Sequence, residues 1–321
     1  MKKIIVLLLG ALMVLSVLSG CDNKKNNNDN KLKVVTTIFP IYDWVREVLG
    51  DVDVDVEALL NNGVDLHSYQ PSIEDIAKIN NADVFMYVGG ESGLESGLES
   101  GLESNKGVKV INLMEVLGDD VRNEEIVEGM EDEHESGHEH GLESDGHESD
   151  KHIWLSLRNA KKCVEAIKDV LCELDPTNMD RYKKNAEEYI EKLELLDQKY
   201  MEVVSNSKNN TLIFGDRFPF RYLVDDYNLN YYAAFVGCST ESEASFNTIT
   251  FLAKKLDELG LTSILTIEGN NHKIAETIIK NTENKNQEIL TLNSMQGSIL
   301  EGNTYLSIME NNLEVLKKAL N

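Results

Sequence analysis

Apolar and polar positions along this chain alternate between two periods. Short β-rich apolar runs at residues 34–39, 54–60, 84–88 and 108–113 are separated by stretches at 41–49 and 72–80 whose apolar residues recur every three or four positions. The first kind predicts strands and the second helices. Strands separated by helices need crossover connections, so a largely parallel sheet is expected. The rhythm returns further on, with strands expected at 212–215, 231–235, 263–267 and 288–292 and helices at 219–227, 246–259, 272–281 and 305–320.

Between the halves, Tyr182, Ala186, Tyr189, Leu193, Leu196 and Tyr200 fall at spacings of three and four. One amphipathic helix over 177–205 explains them, with Pro176 suited to its first turn and the polar cluster at 205–210 ending it. At 1.5 Å per residue it spans about 42 Å, the width of a small domain. The predicted fold class is therefore α/β: two lobes of alternating β and α with largely parallel sheets, residues 32–175 and 208–321, joined by one long backbone helix within 176–207.

Two segments break the pattern. Residues 93–104 are three copies of Gly-Leu-Glu-Ser, and the tetrapeptide recurs at 141–144. Glycine in every copy costs a helix about 1 kcal/mol relative to alanine, and the unit is too short to bury a core, so 91–105 reads as an irregular surface insertion. Residues 123–150 hold twelve acids, no basic residue, and four of the seven histidines: His134, His138, His140 and His147. That composition predicts a mobile loop that serves as an auxiliary, weak metal-binding segment.

The amino terminus adds a location. Met1-Lys2-Lys3, an uncharged run from Ile4 to Gly20, and Leu18-Ser19-Gly20-Cys21 before a polar stretch make 1–20 a secretory signal peptide. The pattern resembles a bacterial lipobox, which implies a lipid on Cys21, a flexible tether over 21–31, and a body held on the extracytoplasmic face of the cell membrane. The formal charge is −25. An acidic surface argues against nucleic acid and favours cations. Cys163, Cys172 and Cys238 have no CxxC spacing and predict no disulfide framework.

The candidate chemistry lies on loops. His67 follows a predicted strand and precedes a helix, and His152 joins the acidic loop to the next helix. Asp216, Glu268 and Asn293 each stand at the end of a predicted strand in the second half, the edge where α/β proteins hold ligands. Imidazoles and carboxylates together suit zinc in about four-fold coordination. Taken singly, a lone histidine is more often a capping or packing residue than a ligand, and a carboxylate at a strand end is often a helix cap.

Thr37-Ile38-Phe39-Pro40-Ile41-Tyr42-Asp43, the histidine motif at 63–71, His152-Ile153-Trp154-Leu155-Ser156, the histidine loop between them, and Thr304-Tyr305-Leu306 with Met309, Asn312 and Leu313 carry a resemblance. Over residues 32–321 the chain is similar to the metal-binding proteins of zinc and manganese ABC importers. The resemblance implies two α/β lobes on a rigid helix and a monomeric, non-enzymatic component. Such a component captures Zn2+ in the cleft and passes it to an ABC permease and its ATPase. His67 and His152 match the family's ligands in the first lobe. The second lobe departs from the pattern: where zinc members carry a third histidine and manganese members a glutamate, gap-free alignment puts Arg217, and a one-residue shift puts Asp216. Asn293 stands where manganese members carry an aspartate. The expected metal ligands are His67, His152, Asp216 and Glu268, with His272 as the next candidate.

Histidine richness favours zinc over a manganese-specific member. A zinc hydrolase is the reading from another class. His134-Glu135-Ser136-Gly137-His138 fits the letters HExxH, but Gly137 breaks the helix that motif needs. A metal-dependent adhesin rests on surface exposure alone.

Overall fold

Four short parallel strands form the first sheet: β1 (Lys33–Thr36), β2 (Asp55–Ala58), β3 (Val84–Tyr87) and β4 (Lys109–Asn112), in the order β2-β1-β3-β4. Val34 pairs with Val56 on one side and Val84 on the other. Strands β5 (Thr211–Phe218), β6 (Asn230–Val236), β7 (Ser263–Ile267) and β8 (Glu288–Leu292) repeat the plan as β6-β5-β7-β8. In this computed structural model the described residues are 31–60, 66, 69–90, 94, 97, 107–130, 148–239, 243–269, 271–296 and 302–321. Leu32–Asn321 forms a single unit. Cys21, His67, His134, His138, His140 and His147 lie outside the described residues.

Each sheet reverses its winding between its first and third strands, and such switch points open a crevice at the carboxyl edge. Helices α1 (Phe39–Leu49), α2 (Ile73–Asn80), α3 (Leu113–Leu117) and α4 (Leu157–Leu174) belong to the first lobe; α6 (Arg221–Tyr227), α7 (Phe246–Glu258), α8 (Lys273–Lys280) and α9 (Tyr305–Ala319) follow the long helix α5 (Met179–Ser205). All six residues of the predicted stripe on α5 are buried. The helix packs on α1 and α4 of one lobe and on α6 and α9 of the other, and at 27 residues it is about 40 Å long.

Several expectations shift. The first strand stops at Thr36 and helix starts at Phe39, because the fixed φ of Pro40 fits a helical first turn. Pro176 lies in a 3-10 turn ahead of α5. Strand β5 continues past Gly215 to Phe218, so Asp216 sits inside the strand at a register shift between Phe214 and Arg217. The extension is held by the Phe218 ring stacked on Tyr231 with centroids 3.7 Å apart. Within the Gly-Leu-Glu-Ser repeats, Leu94 and Gly97 have helical backbone, and Leu94 is buried with Ile79, Phe85 and Tyr87. Burial of the leucine offsets the cost that glycine imposes on a helix. Among the described residues no helix is long and apolar enough to cross a membrane, and Cys163, Cys172 and Cys238 are free thiols.

The lobes are also joined away from α5. Asp43 on α1 accepts the backbone N–H of Tyr305, the first residue of α9, at 2.9 Å, and the Trp44 and Tyr305 rings meet edge to face. Burial lifts the Asp43 carboxyl from 3.8 to about 6, against the lowering effect of the Tyr305 N–H and with a push from Glu47. A folded-state value above the unfolded one means Asp43 supports the fold at low pH, and that support is lost as pH rises through about 6. Asp43→Asn keeps an acceptor for Tyr305 without the charge. Urea unfolding should show the parent losing about 2 kcal/mol relative to this variant between pH 4 and 7. A pH-independent difference would show that Asp43 does not titrate in the folded state.

Candidate metal centre

His152 is completely buried, at the start of a 3-10 turn, Ile153–Leu155, that leads into α4. Its backbone N–H donates to Asp150 Oδ1 at 2.8 Å, and the same oxygen lies 2.8 Å from His152 Nδ1. A carboxylate at Nδ1 keeps the proton there and leaves the lone pair on Nε2, the arrangement that orients a metal-binding histidine. Asp150 is itself fixed. Its N–H donates to the carbonyl of Arg122 at 2.8 Å, and its carbonyl accepts the Tyr222 hydroxyl at 2.7 Å. Behind it, burial raises the Glu124 carboxyl; the Cys238 thiol opposes this by donating a hydrogen bond, while Asp150 adds to it.

The ring of His152 stands where the carboxyl edges of both sheets meet. Its neighbour Lys151 lies against Gly90, just past β3, and His152 Cε1 is so close to Gly237, just past β6, that an added Cβ would come within 2.9 Å of it. A Cβ at Gly237 would also meet the Phe218 carbonyl oxygen of its own lobe at 2.8 Å, so the glycine is required by close packing on both sides and not by its backbone angles. Trp154 packs edge to face on the imidazole, with centroids 5.3 Å apart.

On the second lobe, Asp216 and Glu268 flank the switch point between β5 and β7. Asp216 Oδ2 accepts the N–H of Ile267 at 3.2 Å and Oδ1 the N–H of Arg217 at 2.8 Å. Glu268 follows β7 directly. It accepts the Ser294 N–H at 2.7 Å, the Ser294 hydroxyl at 2.8 Å and the Gln296 N–H at 3.2 Å. The Gln296 side-chain amide in turn contacts His152 Nε2. Glu268 and His152 are therefore one residue apart through Gln296, and Asp216 is one peptide from Glu268 through Ile267.

The other candidates are placed differently. The Arg217 guanidinium donates to the carbonyl of Ser239 at 3.3 Å. Asn293 Oδ1 accepts the N–H of Met295 at 2.8 Å, which ties it into its own turn. His272 caps α8 with φ of 55° and has Nδ1 buried without a hydrogen-bond partner among the described residues. Among the described residues no three of His, Cys, Asp and Glu are close enough to hold a metal ion. Sequence reading missed Asp150 as the orienting group, though an acid two positions before a histidine was its signal. It also missed Gln296, for which local sequence carries no signal.

A family profile described as zinc-uptake complex component A, periplasmic (ZnuA), matches residues 34–319. The chain is 35% identical over 319 residues to the zinc-binding lipoprotein AdcA of Streptococcus pneumoniae, an alignment that covers 99% of this chain and 61% of that protein. It is 30% identical over 312 residues to the high-affinity zinc uptake system protein ZnuA of Bacillus subtilis, covering 94% of this chain and 92% of that one. The solved Zn(II)-bound ZnuA-like domain of S. pneumoniae AdcA superposes with a TM-score of 0.69 at 31% identity, over 91% of this chain and 99% of the domain. This chain thus spans 61% of the length of the AdcA relative.

The Trp154 indole N–H donates to the Ser294 carbonyl at 2.8 Å, tying His152's neighbour to the turn that holds Glu268 and Gln296. Trp154→Phe leaves that buried carbonyl without this donor and removes part of a packed ring. It should cost about 2–4 kcal/mol in urea unfolding. A loss below about 0.5 kcal/mol, the range of a surface change, would mean that the bond does not hold the two lobes at the site.

Proposed function

This chain belongs to the ZnuA family of periplasmic zinc-uptake components, and we propose that it captures Zn2+ at the junction of its lobes and delivers it to an ABC permease. The observation that carries this reading is the buried Asp150–His152 pair, whose Nε2 is directed to the other lobe at Gln296. A histidine so oriented is a preformed zinc donor. His67, Asp216 and Glu268 complete the proposed ligand set. Asp216 and Glu268 stand at the switch-point crevice, and a carboxylate that already accepts backbone N–H groups keeps lone pairs for a cation. The zinc ion is cargo, and the protein binds it without turnover of any substrate.

The proposal extends to the rest of the chain. Residues 1–20 are removed as a signal peptide, Cys21 carries the lipid, 21–31 tether the body to the outer face of the membrane, and the body acts as a monomer of two lobes, 32–175 and 208–321, on the helix within 176–207. The histidines at 134, 138, 140 and 147 gather further ions weakly, because a segment that must be ordered on binding loses affinity to that ordering.

Calorimetry with zinc on residues 32–321 tests the reading. His67→Ala and His152→Ala should each weaken the tight event at least about tenfold, the equivalent of about 1.4 kcal/mol. Asp216→Asn and Glu268→Gln should weaken it with packing nearly unchanged. Unaltered affinity in both histidine variants would remove the site from this junction.

Deleting 131–147 keeps Glu124 and Asp150 and should abolish only the weaker events. Loss of the tight event on that deletion would give the histidine segment a primary ligand. An anomalous edge scan on a metal-soaked crystal identifies the ion directly, and manganese at full occupancy in preference to zinc would overturn the zinc assignment.

A further inference from the structure

The two most exposed large apolar side chains among the described residues are Ile73, 93% exposed, and Phe246, 75% exposed. They occupy equivalent places. Each is the first residue of the helix that follows the second strand of its lobe, α2 after β2 and α7 after β6. Each comes directly after a serine cap: Ser72 accepts the N–H of Asp75, and Ser245 the N–H of Thr248. The caps fix the helix start, and so the direction in which the next residue projects.

Neither side chain serves its own helix. The first turn of a helix favours proline or an acid, and neither Ile73 nor Phe246 joins an apolar core. Both follow the carboxyl edges of the sheets, the edges that converge at Lys151 and His152 through Gly90 and Gly237. One apolar projection per lobe therefore borders the same end of the molecule as the candidate metal centre.

We propose that Ile73 and Phe246 are paired anchors of a docking surface, and that the partner is the membrane permease of the zinc-uptake complex. It would offer each lobe an apolar socket rimmed by basic side chains. The proposal rests on the capture reading above. The family's own description is that of one component of a complex, and whatever takes the ion must approach the end of the protein where the lobes meet. The charge around the anchors defines the rim. Glu74 beside Ile73 and Glu243 near Phe246 are exposed, while Asp75 is half-buried in the Ser72 cap and Glu74 lies 3.5 Å from Lys78. Complementary charge at an interface rim guides encounter, while desolvated apolar anchors at its centre supply most of the affinity. The same carboxylates disfavour an anionic lipid surface. A partner that seats one anchor from each lobe engages both lobes at once and is sensitive to their spacing.

The test uses the full chain, zinc-loaded, added to the permease–ATPase complex of the same organism in liposomes, with the half-saturating concentration for ATPase stimulation as readout. Ile73→Ser, Phe246→Ser and the double variant are compared with Leu195→Ser, which alters an exposed apolar residue on α5. Zinc affinity is measured on every variant. All should bind zinc like the parent. Each single anchor variant should raise half-saturation about tenfold, the double variant more than either, and Leu195→Ser not at all.

An unchanged half-saturation in the double variant, with zinc binding intact, overturns the docking proposal and leaves the capture reading standing. Failure of the parent to bind zinc sinks the capture reading and the docking proposal with it. Two further outcomes also overturn the proposal. One is anchor-dependent flotation of the parent with protein-free vesicles, which assigns the surface to lipid. The other is an anchor-dependent dimer in sedimentation, which assigns it to a second copy.

Discussion

Trp154 is bonded on both sides to the opposite lobe, and the rest of the site depends on that. Its indole N–H reaches the Ser294 carbonyl and its own carbonyl accepts the Tyr305 hydroxyl at 2.7 Å. In a dry interior a donor or acceptor left unmatched costs about 1–3 kcal/mol, so these bonds are made or broken together. Tyr305 also supplies the N–H held by Asp43, and Tyr222 of the second lobe holds the carbonyl of Asp150. The residues that fasten the lobes are thus neighbours of those that aim the imidazole. The imidazole is therefore oriented by the same contacts that join the lobes, and its orientation need not be assembled when a partner binds.

The long helix contributes in a different manner. Two of its buried tyrosines make bonds from their polar ends: Tyr182 donates to Asp175, just ahead of the helix, at 2.7 Å, and Tyr200 to the carbonyl of Met309 on α9 at 2.7 Å. Tyr227 on α6 donates to Asp197 on the long helix at 2.9 Å. An all-leucine stripe would bury as much area without specifying where α6 and α9 lie along the rod. The bonds of Tyr200 and Tyr227 add that register, since a buried hydroxyl is more stable where its partner is present.

Much of this was legible in the sequence because the signals are local. Tyr182 through Tyr200 recur at helical spacing, and β7 and β8 are bounded by turn residues, so their limits could be read directly. The errors fall where non-local contacts decide. Strand β5 runs on to Phe218 because Tyr231 stacks on that ring, and no pattern within residues 211–218 encodes it. Leu94 is helical and buried because Phe85 and Tyr87 are beneath it, although the glycine repeat argued for the opposite. At the candidate site, His152 was conspicuous by its context. Gln296 was not, since its role follows from a turn 144 positions away in sequence. Asp216 has the chemistry of a ligand and lies near Glu268, yet both of its oxygens also hold backbone groups, a division of labour that sequence cannot display.

The two ends of the acidic loop are joined by an antiparallel bridge between Asn123 and Ser149, with the Glu124 N–H bonded to the carbonyl of Glu148 at 2.9 Å. The stem closes before the chain reaches Asp150. The bridge thus fixes the chain three residues before the imidazole of His152, whatever lies between its two ends. Anchored on both strands of the bridge, Asp150 and His152 keep the setting of a core although they adjoin the histidine-rich stretch.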